Sequence, residues 1–378
     1  MNHAAAHLAR TGLFFSHPAC LGHDPSVYSP GHPDTPRRLI VLEAALAERD
    51  WLGWRQLPAP ALAPERLELV HDGAHVSRIR ELCAGGGGAI DPDTFVVEAS
   101  FAAALHAAGG ACEMARALIA GEADVGFCAV RPAGHHAEAE RSMGFCLFNN
   151  VALAAASAIA ERGAERVLII DWDVHAGNGT AEIFRHRPDV LLACIHEQDL
   201  YPGSGPLQDA GSGEGEGYTI NLPVPARSGE PLWSALLREI VIPAGRAFDP
   251  DLVLVSCGFD AHAADPLANC LLQTSSFAHI AALVQDAARD LGAPLGLVLE
   301  GGYDSAVLAE CVCAVLPALA ASAGAPVAGA AGGEPPRAAP RSGAPAGARS
   351  AGSEGGLQRS DEEVLRRARA QVGRYWPL

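Results

Sequence analysis

Residues 167–184 read VLIIDWDVHAGNGTAEIF: an apolar run ending in an aspartate, then a cluster of polar side chains. A continuous apolar run without alternation marks a strand buried on both faces, as in a parallel sheet covered by helices. Similar runs recur at 125–130 (VGFCAV), 190–196 (VLLACIH), 252–256 (LVLVS) and 295–300 (LGLVLE). Helical patterns separate many of them, at 149–162 (NNVALAAASAIAER) and 276–291 among others. This alternation predicts an α/β fold, three α/β/α layers around a central, mostly parallel sheet.

The carboxyl ends of the strands in such a sheet form the rim where ligands bind. VGFCAV leads into RPAGHH, with His135 and His136. VLIID leads into DWDVHAGNGT, with Asp171, Asp173, His175 and Asn178. LVLVS leads into CGFDAHAADP, with Asp260, and LGLVLE into GGY, with Tyr303. Each piece alone has a bland reading. An Asp-x-His pair arises by chance, paired histidines are often structural, a strand-end aspartate often caps a helix, and Gly-Gly-Tyr is usually a turn. Four such segments on one rim favour a site.

Asp173 and His175 lie two apart, so in extended backbone both point to the same side. With Asp260 they offer one nitrogen and two carboxylates. Three protein ligands leave room for water or substrate, as a catalytic metal site requires. Zinc is the first candidate and iron(II) the alternative, because this donor set discriminates weakly between them.

The net charge of −17, with no dense Lys/Arg cluster, argues against a nucleic-acid partner. It suits a cationic substrate such as a lysine side chain or a polyamine, or it serves solubility alone. No apolar stretch reaches the roughly 18–20 residues of a membrane span, and the N-terminus lacks a signal-peptide core. A cytoplasmic enzyme with no membrane partner is expected. The ten cysteines form no CxxC pair, which predicts reduced thiols buried as small hydrophobes. Residues 1–322 read as one catalytic domain. Residues 323–359 are Ala/Gly/Pro-rich, the composition of a flexible linker. Residues 360–378 read as a C-terminal helix with Ser360 as its N-cap, ending in Tyr375 and Trp376 and docking on the body.

The segments RPAGHHAEAERSMGFCLFNNVALAA, VLIIDWDVHAGNGTAEIF, LVSCGFDAHAADPLA and LEGGY, with HPACLGHDPSVYSPGHPDTPRRL, together resemble the histone deacetylase family. The resemblance runs over 11–320 and is strongest to the class II and bacterial deacetylase-like amidohydrolases, relatives of the acetylpolyamine amidohydrolases. It implies an arginase/deacetylase-type fold with one catalytic zinc on Asp173, His175 and Asp260. The implied reaction is hydrolysis of an acyl-amine amide, acetyl-lysine or a similar short-chain acyl amine, to a free amine and a carboxylate. His135 and His136 then flank the attacking water, supported by Asp171 and Asn178 respectively. His136 acts as general base and later acid, and Tyr303 shares the oxyanion with the metal. Gly144, Phe145 and Tyr201 line the implied substrate channel. Leu267 falls where polyamine-selective relatives carry a carboxylate, which leans toward acyl-lysine. Asp171, Asp173, His175, Cys194 and Ile195 match a potassium site of the family, with Cys194 replacing a hydroxyl residue and weakening the match.

The main departure is Ala176, where the family has a second histidine after the ligand histidine. It motivates a rival reading as a non-catalytic acyl-amine-binding protein, against which intact His135, His136 and Tyr303 stand. An arginase-like enzyme with two manganese ions lacks its extra aspartates, because Gly177 and His262 stand in the corresponding runs. An acetylpolyamine amidohydrolase differs only in substrate. Asp91 and Asp93 read equally as substrate-gripping carboxylates or turn formers. The loop Pro30–Arg38 serves substrate capture or subunit contact, and a homo-oligomer is compatible with either.

Overall fold

The computed structural model describes residues 12–321 and 357–378, so most of the expected 323–359 linker lies outside the described residues. Among the described residues there are ten strands: β1 (Leu13–Ser16), β2 (Arg55–Pro58), β3 (Gly87–Ala89), β4 (Phe95–Val97) and β5 (Val125–Cys128) precede β6 (Val167–Asp171), β7 (Val190–Glu197), β8 (Thr219–Val224), β9 (Leu252–Cys257) and β10 (Leu295–Leu299). β3 and β4 make a small antiparallel pair; the other eight form one sheet in the order β2-β1-β5-β10-β9-β6-β7-β8. Every pairing in that sheet is parallel. With helices on both faces, the expected three-layer α/β/α arrangement is the one observed.

The strand order is what builds the site. β5, β10, β9 and β6 are consecutive neighbours, and they are the four strands whose following segments carry the histidines, the tyrosine and the aspartates. Register keeps their ends level: Asp171 of β6 lies opposite Cys194 of β7 and Ser256 of β9. All residues of β5, β6, β7, β9 and β10 are buried, which explains their unbroken apolar runs.

The helix Asn150–Arg162 starts where Asn149 accepts a hydrogen bond from the Ala152 N–H and ends at a left-handed Gly163. The second patterned helix spans Thr274–Leu291. At the C-terminus the helix runs Arg359–Val372. Its N-cap is Gln358 rather than Ser360, because the Asp361 carboxylate reaches back to the Gln358 N–H at 3.1 Å and starts the helix earlier. Leu365, Ala368 and Val372 are buried, and the Trp376 indole donates to the Gly217 carbonyl at 2.7 Å. All ten cysteines are free, nine of them buried. Among the described residues no helix is long and apolar enough to cross a membrane.

Three buried histidines make stability sensitive to acid. Burial, then Arg131, pushes His23 down to about 3. Burial, then His75, pushes His71 to about 4, and burial pushes His196 to about 4. The unfolded chain therefore takes up protons near pH 6.5 that the folded chain refuses, so folding free energy is lost as pH falls from 6.5 toward 4. Glu300 and Asp265, pushed up to about 7 by burial, act in the opposite sense across the same window, so the histidine share is read against a variant: the urea midpoint of His71→Gln/His196→Gln is expected to fall less between pH 6.5 and 4.5 than that of wild type. The same pH dependence in both proteins contradicts this.

Candidate active site

Backbone hydrogen bonds hold the segment after β6 in shape around its carboxylates. The Asp173 N–H donates to Asp171 Oδ1 at 3.1 Å, the His175 N–H to Asp173 Oδ1 at 2.9 Å, and the Val174 N–H to Asp260 Oδ1 at 2.9 Å. Asp173 Oδ2 accepts from the Gly301 N–H at 2.8 Å, tying the segment after β10 to the same point. A larger residue than Gly301 would force the carboxylates to shift: a Cβ would sit 1.9 Å from Asp260 Oδ2 and 2.7 Å from Asp173 Oδ2. The three candidate ligands are thus held together by three segments, those after β6, β9 and β10, tied by backbone-to-carboxylate hydrogen bonds.

Asp173, His175 and Asp260 are buried, with donor atoms all within 4.8 Å of one another. His175 Nδ1 lies 3.0 Å from Asp173 Oδ1 and 3.2 Å from Asp260 Oδ2. Burial opposes charging His175, but hydrogen bonds to the two carboxylates outweigh it and lift its proton affinity to about 10. The two carboxylates thus demand a positive charge between them, and one imidazole with two carboxylates suits a divalent zinc or iron(II) ion. A second buried set, His135, Cys146 and Glu300, also has donors within 4.8 Å. There Glu300 is already engaged, accepting from the Gly134 N–H at 2.7 Å and the His135 N–H at 3.2 Å.

The two histidines stand side by side, ring centroids 4.0 Å apart, in different electrostatic surroundings. His135 Nδ1 meets Asp171 Oδ2 at 3.1 Å. Burial penalises its charged form, yet Asp173 and Asp171 more than compensate and hold it well above the ordinary histidine value. His136 Nδ1 meets Asn178 Oδ1 at 2.7 Å, a neutral partner. Burial, then His135 and His175, holds His136 well below the ordinary value. Two neighbouring imidazoles pushed apart in this way can divide acid–base and electrostatic roles.

Gly144, Phe145 and Tyr201 form a wall beside them. Gly144 is left-handed (φ +57°), and a Cβ there would lie 2.5 Å from His136 Cδ2 and 2.8 Å from Tyr201 Cε1. Phe145 is also left-handed (φ 66°), a strained backbone for an aromatic residue, pinned by its N–H to Thr94 Oγ1 at 3.2 Å. The Tyr201 ring meets His136 edge-on at 5.1 Å, and the Phe145 ring meets Tyr303 edge-on at 5.7 Å. Burial, then Asp260, holds the Tyr303 phenol well above its ordinary value, so it keeps its proton. Half-buried Leu267 sits one carboxylate away from Tyr303: Asp265 takes the Leu267 N–H at 2.9 Å and the Tyr303 N–H at 2.7 Å. Cys194 and Ile195 are buried on β7, the Cys194 sulfur facing the Gly177 N–H at 3.5 Å. Ala176 is buried. Asp91 Oδ1 closes a turn by accepting from the Asp93 and Thr94 N–H groups.

Supporting residues beneath these were not singled out from the sequence. Glu300, pushed up to about 7 by burial, carries the loop of the paired histidines. Asp265 steadies the tyrosine, and Asp34, Arg38 and Arg131 form a buried ionic cluster under both. The sequence signal for Glu300 was its place at the end of a predicted strand. Asp34 and Arg38 lie in the Pro30–Arg38 loop, whose inner half is therefore anchored inside the protein.

Comparison with known proteins gives a consistent answer. Residues 32–319 match the model of the histone deacetylase domain. The chain is 38% identical over 319 residues to a histone deacetylase-like amidohydrolase of Pseudomonas aeruginosa, covering 83% of this chain and 82% of that one. It is 35% identical over 324 residues to the chloroplastic histone deacetylase 14 of Arabidopsis thaliana, covering 81% and 76%. The crystal structure of the HDA15 HD domain superposes with a TM-score of 0.84 at 30% identity, covering 97% of this chain and 96% of that one.

Proposed function

The chain belongs to the histone deacetylase family, and from that premise we propose that it hydrolyses the amide of an acylated amine with one zinc ion held by Asp173, His175 and Asp260. The observation that carries the reading is the buried, carboxylate-rich ligand trio beside a histidine of lowered proton affinity. Bound there, zinc supplies Lewis acidity that polarises a carbonyl and acidifies water.

The chain's own groups do the rest. His136 has Nδ1 committed to Asn178, which leaves Nε2 to take the proton of the attacking water. The same nitrogen returns a proton to the departing nitrogen as the C–N bond breaks, giving a carboxylate and a free amine. His135, held by Asp171, contributes positive charge or a hydrogen bond to the developing oxyanion. The Tyr303 phenol, kept protonated, donates to the same oxygen. Gly144, Phe145, Tyr201 and Leu267 bound the substrate stem, and acetyl-lysine is the leading substrate, with acetylpolyamines and other small amides as alternatives. Potassium near Asp171, Asp173, His175, Cys194 and Ile195 is assigned no step.

Metal analysis of the purified protein together with a panel of acetyl-lysine peptide, acetylputrescine and acetylspermidine tests this. One zinc or iron per chain, with acetyl-lysine turned over fastest, is expected. Two metals per chain, or no turnover on the panel with metal bound, sinks the proposal. A related expectation concerns Gly301→Ala, whose methyl would collide with two ligand carboxylates. It should lower metal content at least tenfold after dialysis against a weak chelator, a loss of about 1.4 kcal/mol or more in binding. Retention of wild-type metal content would show that the ligand loops can yield.

A further inference from the structure

One carboxylate next to the site has no part in the scheme above. Glu138 is half-buried, two residues beyond His136, on a backbone held at several points. Its N–H donates to the Arg141 carbonyl at 2.9 Å, and its carbonyl accepts from His71 Nδ1 at 3.0 Å. The Ala139 N–H donates to Glu182 Oε2 at 3.0 Å, and the Ala139 carbonyl accepts from the Asp72 N–H at 2.9 Å. On this rigid base the Glu138 side chain turns back toward Asn178, where Oε1 accepts from Asn178 Nδ2 at 2.9 Å.

Asn178 therefore stands between His136 and Glu138 with each end of its amide committed. An amide group can present either oxygen or nitrogen to a neighbour, and which one it presents decides the tautomer of an imidazole facing it. If the oxygen faces His136 Nδ1, that nitrogen carries the proton and Nε2 is free. If the NH2 faces it, Nδ1 must accept, the proton moves to Nε2, and the nitrogen needed as a base is blocked. The other neighbours of Asn178 Nδ2 are weak: the His136 carbonyl at 3.4 Å and the Met143 sulfur at 3.5 Å. Among the described residues only Glu138 offers it a charged acceptor at full hydrogen-bond distance, and charge-assisted bonds are the stronger kind.

We infer that Glu138 is a positioning residue that orients the Asn178 amide and thereby selects the Nδ1–H tautomer of His136. The chain Glu138–Asn178–His136 gives a neutral asparagine a fixed acceptor face, with the negative charge kept one residue further out than a direct aspartate–histidine pair would put it. The effect on turnover rests on the amidohydrolase reading; the effect on the tautomer does not.

Replacements at 138 separate positioning from mere structural support. Glu138→Ala removes the acceptor and is expected to lower kcat about tenfold, within the range usual for partners that orient a working histidine. Glu138→Gln keeps an acceptor oxygen and is expected to lose less than about threefold. Glu138→Lys is the decisive variant. A lysine can only donate, so it draws the Asn178 oxygen toward itself, turns the NH2 onto His136, and is expected to lower kcat about a hundredfold. Adding Asn178→Asp supplies two acceptor oxygens, one for the lysine and one for His136 Nδ1–H. The double variant Glu138→Lys/Asn178→Asp is expected to recover to within about tenfold of wild type, with KM within about twofold in every variant. A loop merely damaged at 138 has no reason to be repaired by a change at 178.

The second readout needs no activity. In protein with 15N-labelled histidine, the His136 ring signals, assigned by their loss in His136→Ala, should show Nδ1 protonated in wild type. They should show Nε2 protonated in Glu138→Lys and Nδ1 protonated again in the double variant. Unchanged ring signals in Glu138→Lys, or a kcat loss that Asn178→Asp does not recover, overturn the inference. Absence of turnover by wild type across all amides overturns the proposed function instead, and the ring signals still decide the role of Glu138.

Discussion

His136→Ala is expected to lower kcat about a thousandfold with metal content unchanged, because it removes the group that moves protons in both halves of the proposed reaction. General acid–base catalysis typically contributes 10²- to 10⁴-fold, and in the proposed scheme base and acid are the same nitrogen. The neighbouring histidine is a poor substitute. Burial opposes charging His135, but Asp173 and Asp171 hold it well above its ordinary value, so of the two imidazoles it is the less ready to take a proton from water. Its Nδ1 is also committed to Asp171. His136 lies outside the ligand trio, so its removal should leave the metal in place. Tyr303→Phe, which deletes one oxyanion donor and keeps the ring against Phe145, should cost about a hundredfold. Combining the two should cost less than the product of the separate losses, because both serve one transition state. Retention of more than a tenth of wild-type kcat by His136→Ala would assign the base to another residue.

The sequence disclosed the elements that are buried on both sides. The apolar run 167–171 has the limits of β6, and the runs at 190–196, 252–256 and 295–300 differ from β7, β9 and β10 by one residue. Strands at the margins were missed for a physical reason. β2 (RQLP) is mostly exposed and β8 (TINLPV) contains a proline, so neither presents an unbroken apolar run. The residues that meet at the rim stand out in the sequence because histidine and aspartate are uncommon directly after strands buried on both faces. Their supports do not. Glu300, Asp265 and Glu138 act by accepting backbone or amide N–H groups, and a carboxylate in that role has no composition or spacing to mark it. Asp34 and Arg131 are 97 residues apart, and nothing in either local sequence announces that they meet.

That meeting carries the largest expected effect on stability. Asp34→Ala should destabilise the protein by about 3–5 kcal/mol, the range for breaking a buried ion pair on one side. Asp34, Arg38 and Arg131 are all at or below 1% exposed. Asp34 Oδ1 accepts from Arg38 Nη1 at 2.8 Å and Arg131 Nε at 2.7 Å, and Oδ2 accepts from Arg131 Nη2 at 2.9 Å. Burial resists ionising Asp34, but Arg131 and Arg38 overcome it and hold the carboxyl well below the usual range. Removing that carboxylate leaves two guanidinium groups in the interior without their shared counter-charge. Asp34→Asn keeps an acceptor oxygen but not the charge and should fall between wild type and Asp34→Ala. The damage should also reach the site. Arg38 donates to the Gly302 carbonyl at 2.7 Å and to the Glu300 carbonyl, and its guanidinium lies 4.9 Å from the centre of the Tyr303 ring. Turnover measured at a temperature where Asp34→Asn is still folded should therefore fall, through misplacement of the Tyr303 loop. Denaturation midpoints that match wild type for Asp34→Ala would mean that water or a neighbouring acid takes over the counter-charge, and that the cluster is not what holds the tyrosine loop to the sheet.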